Sequence, residues 1–182
     1  MKKIMIIGAG GIGSHLVPIL NRTGCYEIEV WDADRVEEKN LLTQNFTEKE
    51  VGRFKTDSIA GKNVISRRFN VRTDKQMQGY DLVVCCADNL GIRRTLYRGA
   101  PNWLDLRAQG RNGILISYKT PKSMMTEVLK GPDGSFSCQG TEWDGKSESL
   151  NLIHTVVAGL GAQWIHKHFN GEEVKDYFMI NF

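Results

Sequence analysis

The 182-residue chain has no run of about 18 consecutive apolar residues, so it carries no segment built to cross a membrane as a helix. Lys2-Lys3 followed by an apolar stretch is the beginning of a signal-peptide pattern. That stretch stops after a few residues at a glycine cluster and offers no cleavage-like site. Cysteine is scarce: Cys25, Cys85, Cys86 and Cys138 form no C-x-x-C pair, which argues against a disulfide framework and against a structural zinc site. Charge of one sign is scarce as well, and a formal net charge of +3 does not by itself point to nucleic acid. Arg67-Arg68, Arg93-Arg94 and Arg98 read as solvated helix faces. Internal repeats, low-complexity tracts and linkers are absent too. The expectation is a cytosolic chain with one domain over residues 1–182, large enough for one sizeable core and without a nucleic-acid or membrane partner.

The order of apolar segments predicts an α/β fold: a Rossmann-like, doubly wound, mainly parallel sheet with helices on both faces. A C-terminal hairpin and loop region and a last helix complete it. Strands are predicted at residues 3–8, Glu27–Asp32, near Arg68–Thr73 and at Tyr80–Ala87, the last a near-continuous apolar run that suits a strand buried on both faces. Helices are predicted at 11–21, where Pro18 should kink the helix or remove a backbone hydrogen bond, at about 54–66, and from Asp88-Asn89 to about Ala100. Trp103–Leu106 and Gly113–Tyr118 read as strands, Pro121–Gly140 as a long exposed loop, Leu150–Phe169 as a helix, and Tyr177–Ile180 as a strand closing the sheet edge.

The chemistry-bearing feature is the junction of the first strand and helix, Ile4-Met5-Ile6-Ile7-Gly8-Ala9-Gly10-Gly11-Ile12-Gly13. A G-x-G-x-x-G at that place lets backbone amides approach a phosphate at the positive end of a helix. Asp32 follows about 20 residues later, where a carboxylate binds ribose hydroxyls. Ligands of open α/β sheets collect at the carboxyl ends of the strands, and Gly8–Gly13, Asp32 and Asp88 all map to that edge. These features alone fit an NAD(P)-dependent oxidoreductase as well as an ATP-binding enzyme.

A longer pattern is more specific. Asp32-Ala-Asp34-Arg-Val36, then Asn40-Leu41-Leu-Thr-Gln44, then Val51-Gly52-Arg-Phe-Lys55, and finally Cys86-Ala-Asp88-Asn89 with Arg93, stand in one chain. The set resembles the D-x-D-x-V, N-L-x-R-Q, V-G-x-x-K and C-x-D-N-x-x-x-R signature of the ThiF/MoeB adenylyltransferases, relatives of the ubiquitin-activating enzymes. The likeness runs from residue 3 to about residue 100, with a weaker match in the helix at 150–169. It implies an enzyme that joins the C-terminal carboxylate of a ubiquitin-like sulfur-carrier protein or peptide to AMP, using ATP and Mg²⁺ and commonly acting as a homodimer. By that resemblance Gly8, Gly10, Gly11 and Gly13 lie against the ATP phosphates and Asp32 binds ribose. Asn40, Gln44 and Lys55 contact phosphates, Lys55 supplying positive charge, and Asp88 holds Mg²⁺. Cys138, on a polar stretch, is the candidate acceptor of the activated acyl group.

The residues also have simpler readings: Asp34 orders its loop, Asn89 caps the next helix, Cys85 and Cys86 belong to the core, and His154, His166 and His168 are helix residues. Three departures from the family pattern stand out. Thr43 occupies the place of the signature arginine, with Arg107 or Arg111 as candidate replacements. The chain starts directly at the first strand, without the preceding helices of the family. Paired C-x-x-C zinc motifs are absent. A non-catalytic subunit paired with an active homologue is therefore the alternative to an enzyme.

Overall fold

The computed structural model describes residues 1–130, 138–140 and 143–182. Seven strands form one sheet in the order β3-β2-β1-β4-β5-β6-β7. β1 (Lys2–Ile7), β2 (Tyr26–Trp31), β3 (Val64–Arg67), β4 (Leu82–Cys85) and β5 (Trp103–Gln109) are parallel. β6 (Asn112–Ser117) and β7 (Tyr177–Asn181) complete the sheet as antiparallel strands, as expected for the C-terminal edge. Between them lie α1 (Gly13–Thr23), α2 (Lys55–Ser58), α3 (Leu90–Gly99), α4 (Lys122–Val128) and α5 (Ile153–Phe169).

Strand periodicity divides the core in two. Ile4, Ile6, Ile28, Val30, Leu82, Val84, Leu104 and Leu106 face one side, where Leu16, Val17 and Leu20 of α1 and Val157, Ala158 and Ile165 of α5 cover them. Met5, Ile7, Val83, Cys85 and Trp103 face the other, under Leu96 of α3 and Met77. Burial on both faces is the reason the central strands read as unbroken apolar runs. No described helix is long and apolar enough to cross a membrane.

Three expectations need correction. The helix predicted at 54–66 is one turn, Lys55–Ser58, because the chain reverses at Gly61. A β-carbon at Gly61 would stand 2.4 Å from Asn21 Nδ2, so the chain passes close to the Asn21 side chain of α1 there. The strand predicted near Arg68–Thr73 lies earlier, at Val64–Arg67, where Val64 and Ile65 pair with Ile28 and Glu29. Pro121–Gly140 is not a continuous loop: α4 begins directly after Pro121, a residue suited to a helix start, and residues 131–137 and 141–142 lie outside the described residues.

Of the basic residues expected on solvated helix faces, Arg94 and Arg98 are exposed on α3. Arg67 ends β3 and pairs with Glu29 at 2.8 Å, and Arg68 follows the strand and pairs with Asp57 at 3.0 Å. Arg93 is buried against Asp105.

Candidate nucleotide site

At the carboxyl edge of the sheet, β1 turns into α1 through Gly8–Gly13. Gly8 has φ +97°, and a β-carbon there would lie 2.9 Å from the Ala87 backbone nitrogen, so glycine lets the end of β1 pack against the end of β4. Gly13 plays a packing role. A β-carbon on it would sit 1.9 Å from the Gly8 carbonyl oxygen, and Gly13 does not line the cavity above the turn. Of the four glycines expected at phosphates, Gly8, Gly10 and Gly11 line the cavity wall and Gly13 does not. The first turn of α1 has neither a side-chain cap nor an acidic residue. Its Ser14, His15 and Leu16 amides donate to the Gly10 and Ile12 carbonyls, so what the turn offers an anion is the positive end of the helix dipole.

That cavity, about 710 Å³, gathers residues from many parts of the chain: Gly8, Gly10, Gly11, Asp32, Asn40, Gln44, Lys55, Asp88 and Cys138 all line it. Asp32 is fixed by two amides, with Ala9 N donating to Oδ2 at 2.7 Å and Asp34 N to Oδ1 at 2.8 Å. Burial pushes its carboxyl pKa above the ordinary value, against the pull of those amides and of Lys55. Lys55 is nearly covered, with its backbone amide on the Asp34 carbonyl and its Nζ 3.3 Å from Asp34 Oδ2. Asp34 thus orders the loop and orients the lysine. Asn40 is buried and receives the Glu37 amide on Oδ1 at 2.9 Å. Gln44 has a buried Oε1 without a hydrogen-bond partner, beside the glycine turn. Asn89 caps α3 by accepting from Ile92 N at 3.2 Å.

Asp88 is exposed at the end of β4. No group of three or more His, Cys, Asp or Glu able to hold a metal occurs among the described residues. The donor set suits a Mg²⁺ held by one carboxylate with phosphates and water, the usual arrangement for that ion, rather than a protein cage. Cys85 and Cys86 are buried as expected, the Cys85 thiol pushed up to about 12 by burial. Cys138 is not the exposed loop thiol that was expected. It is half-buried over Gly11, its carbonyl accepts from Gly110 N at 2.9 Å, and burial raises its pKa.

Neither expected substitute for the missing arginine reaches the cavity. Arg107 is tied to Asp105 at 2.7 Å, and Arg111 lines a separate apolar groove with Val156 and Phe182. Thr43 itself is buried and on the cavity wall. The structure adds Asn70, Val71 and Arg72 to the wall, in the segment following β3. Arg72 has no ion pair among the described residues, and its backbone amide is held by Gln76 Oε1 at 2.8 Å. Thr73-Asp-Lys-Gln76 is a capping box that opens the short helical turn Asp74–Met77 directly after this wall segment.

A mainly parallel sheet with a glycine turn, a buried carboxylate and a lysine around one cleft is the architecture of an α/β Rossmann-like fold. Comparison with known proteins narrows the class. The chain matches the ThiF family over residues 1–181 and belongs to it. It is 32% identical over 103 residues to the adenylyltransferase and sulfurtransferase UBA4 of Yarrowia lipolytica, covering 50% of this chain and 26% of that protein. The chain thus spans about a quarter of the length of that curated relative. Its fold is that of E. coli MccB: with MccA-N7isoASN the TM-score is 0.72 at 19% identity, over 100% of this chain and 61% of that one. With ATP it is 0.67 at 20% identity, over 99% and 63%.

Proposed function

We propose that this chain forms a single adenylating domain that activates the C-terminal carboxylate of a ubiquitin-like or sulfur-carrier protein, or of a peptide, with ATP and Mg²⁺. The observation that carries the reading is the convergence of Gly8, Gly10, Gly11, Asp32, Asn40, Gln44, Lys55 and Asp88 on one cavity. The acceptor carboxylate oxygen attacks the α-phosphorus, and pyrophosphate leaves with the electron pair of the broken P–O bond. Such a reaction needs positioning and charge neutralisation more than covalent help from the protein. Asp32 orients the ribose, amides of the glycine turn and the positive end of α1 meet phosphate oxygens, and Lys55 supplies a cation held in place by Asp34. Mg²⁺ at Asp88 would neutralise triphosphate charge. The UBA4 name supports adenylation, and the MccB structures with ATP and MccA support a nucleotide and a peptide partner. A homodimer and a cytosolic setting belong to the same reading.

The test is pyrophosphate exchange into ATP in the presence of the cognate acceptor. Exchange that disappears in Asp88→Ala supports the reading; no exchange with any acceptor, despite ATP binding, favours the second one. That second reading, a binding subunit paired with an active homologue, rests on Thr43, a buried uncharged residue where the family signature has arginine. The oxidoreductase alternative rested on the glycine turn and Asp32, and family membership accounts for both.

A further inference from the structure

Pro18 lies inside α1, four residues after Ser14. Proline has no N–H, so the Ser14 carbonyl has no helical donor. The structure supplies one from outside the helix: Asn45 Nδ2 donates to Ser14 O at 3.3 Å, and Asn45 N donates to Ser14 Oγ at 3.0 Å. Ser14 is fully buried, and its own amide donates to the Gly10 carbonyl at 2.9 Å. One residue thus joins the glycine turn to a loop residue 31 positions further along the chain. The neighbour of Asn45 in that loop is Gln44, whose Nε2 stands 3.9 Å from where a β-carbon on Gly10 would be.

We propose that Asn45 is a positioning residue for the nucleotide: through the carbonyl that Pro18 frees, it latches the loop bearing Thr43 and Gln44 to α1 and sets their spacing from the glycine turn. Two hydrogen bonds to one residue fix the height and the orientation of the loop. Asn45 is itself exposed, so its side chain contributes no core packing. The latch orders the wall that faces the phosphates, not the wall that faces the base. The proposal rests on the nucleotide reading of the cavity.

The test measures ATP–Mg²⁺ and adenosine affinities by calorimetry or by competition against a fluorescent ATP analogue, with thermal melting alongside. Asn45→Ala removes one hydrogen bond and should weaken ATP roughly 3- to 12-fold, with adenosine unchanged. Pro18→Ala returns an N–H to the Ser14 carbonyl, so it should weaken ATP in the same direction while Tm stays level or rises. In the Pro18→Ala background, Asn45→Ala should then change ATP affinity by less than about 2-fold. A residue that merely stabilised the fold would lower Tm and would weaken ATP and adenosine together. Unaltered ATP affinity in Asn45→Ala, equal losses for ATP and adenosine, or effects of the two substitutions that simply multiply would each overturn the latch. Absence of ATP binding by the wild-type chain is a different failure, and it overturns the nucleotide reading itself.

Discussion

The Arg93 guanidinium rests 3.1 Å from the carboxylate of Asp105, a fully buried residue inside β5. Arg107 approaches the same carboxylate at 2.7 Å, and Tyr97 donates its hydroxyl at 2.8 Å while stacking on Trp103. One carboxylate therefore organises two cations beneath the cavity wall, and Arg93 reaches that wall.

Removing the shared acceptor leaves two largely covered guanidiniums facing each other. Asp105→Ala should cost about 3 to 5 kcal/mol. For a chain of this size that is a fall in Tm of roughly 6 to 20 °C, read by calorimetry. A change of less than 2 °C would show that water compensates the arginines.

The glycines separate into those that shape the turn and those that do not. Gly13→Ala places a methyl group into the Gly8 carbonyl and should abolish measurable ATP binding while the chain still folds. Gly159, in the middle of α5 with open space around it, should accept alanine with a gain of about 1 kcal/mol. Urea denaturation and nucleotide titration of the two variants check the contrast.

The sequence made the parallel sheet, the glycine turn and the carboxylates at its edge legible, because each depends on local pattern: apolar runs, G-x-G-x-x-G, and an acid at a strand end. What it concealed depends on pairing between distant segments. Val64 and Ile65 look like the tail of a helix until Ile28 and Glu29 are placed beside them. Gly13 matches a phosphate-binding motif, yet its space is set by the Gly8 carbonyl. Arg93 looks like surface charge, and Arg107 like a replacement for the signature arginine, until Asp105 is placed beneath them, and Cys138 looks exposed until it is seen over Gly11.

Cys138 as an acyl acceptor is a question of thiolate supply. Burial raises its pKa, whereas Cys25 is exposed. Thiolate is the reactive form, so iodoacetamide at pH 8 should label Cys25 well before Cys138 in peptide mapping by mass spectrometry. Labelling of Cys138 should accelerate as pH rises beyond 9. Preferential labelling of Cys138 at neutral pH would mean that the thiol is activated, and would favour acyl transfer to it.

His154 sets a pH dependence for the fold. It is buried at the start of α5, with its ring 5.6 Å from that of His15, and burial followed by the repulsion of His15 lowers its pKa from 6.5 to about 4. Above pH 6.5 the imidazole is neutral in both folded and unfolded chains and contributes no slope. Between 6.5 and about 4 the unfolded chain takes up a proton that the folded chain refuses, so stability must fall as the solution is acidified. The loss from this residue reaches about 3 kcal/mol at the acid end and levels off below it. Other groups titrate in the same range, so the informative quantity is a difference. Urea midpoints measured from pH 7.5 to 4 for wild type and His154→Gln should diverge above pH 6.5 by a constant amount and converge, or cross, as pH drops through that window. Parallel curves would mean that His154 is solvated and protonated in the folded chain.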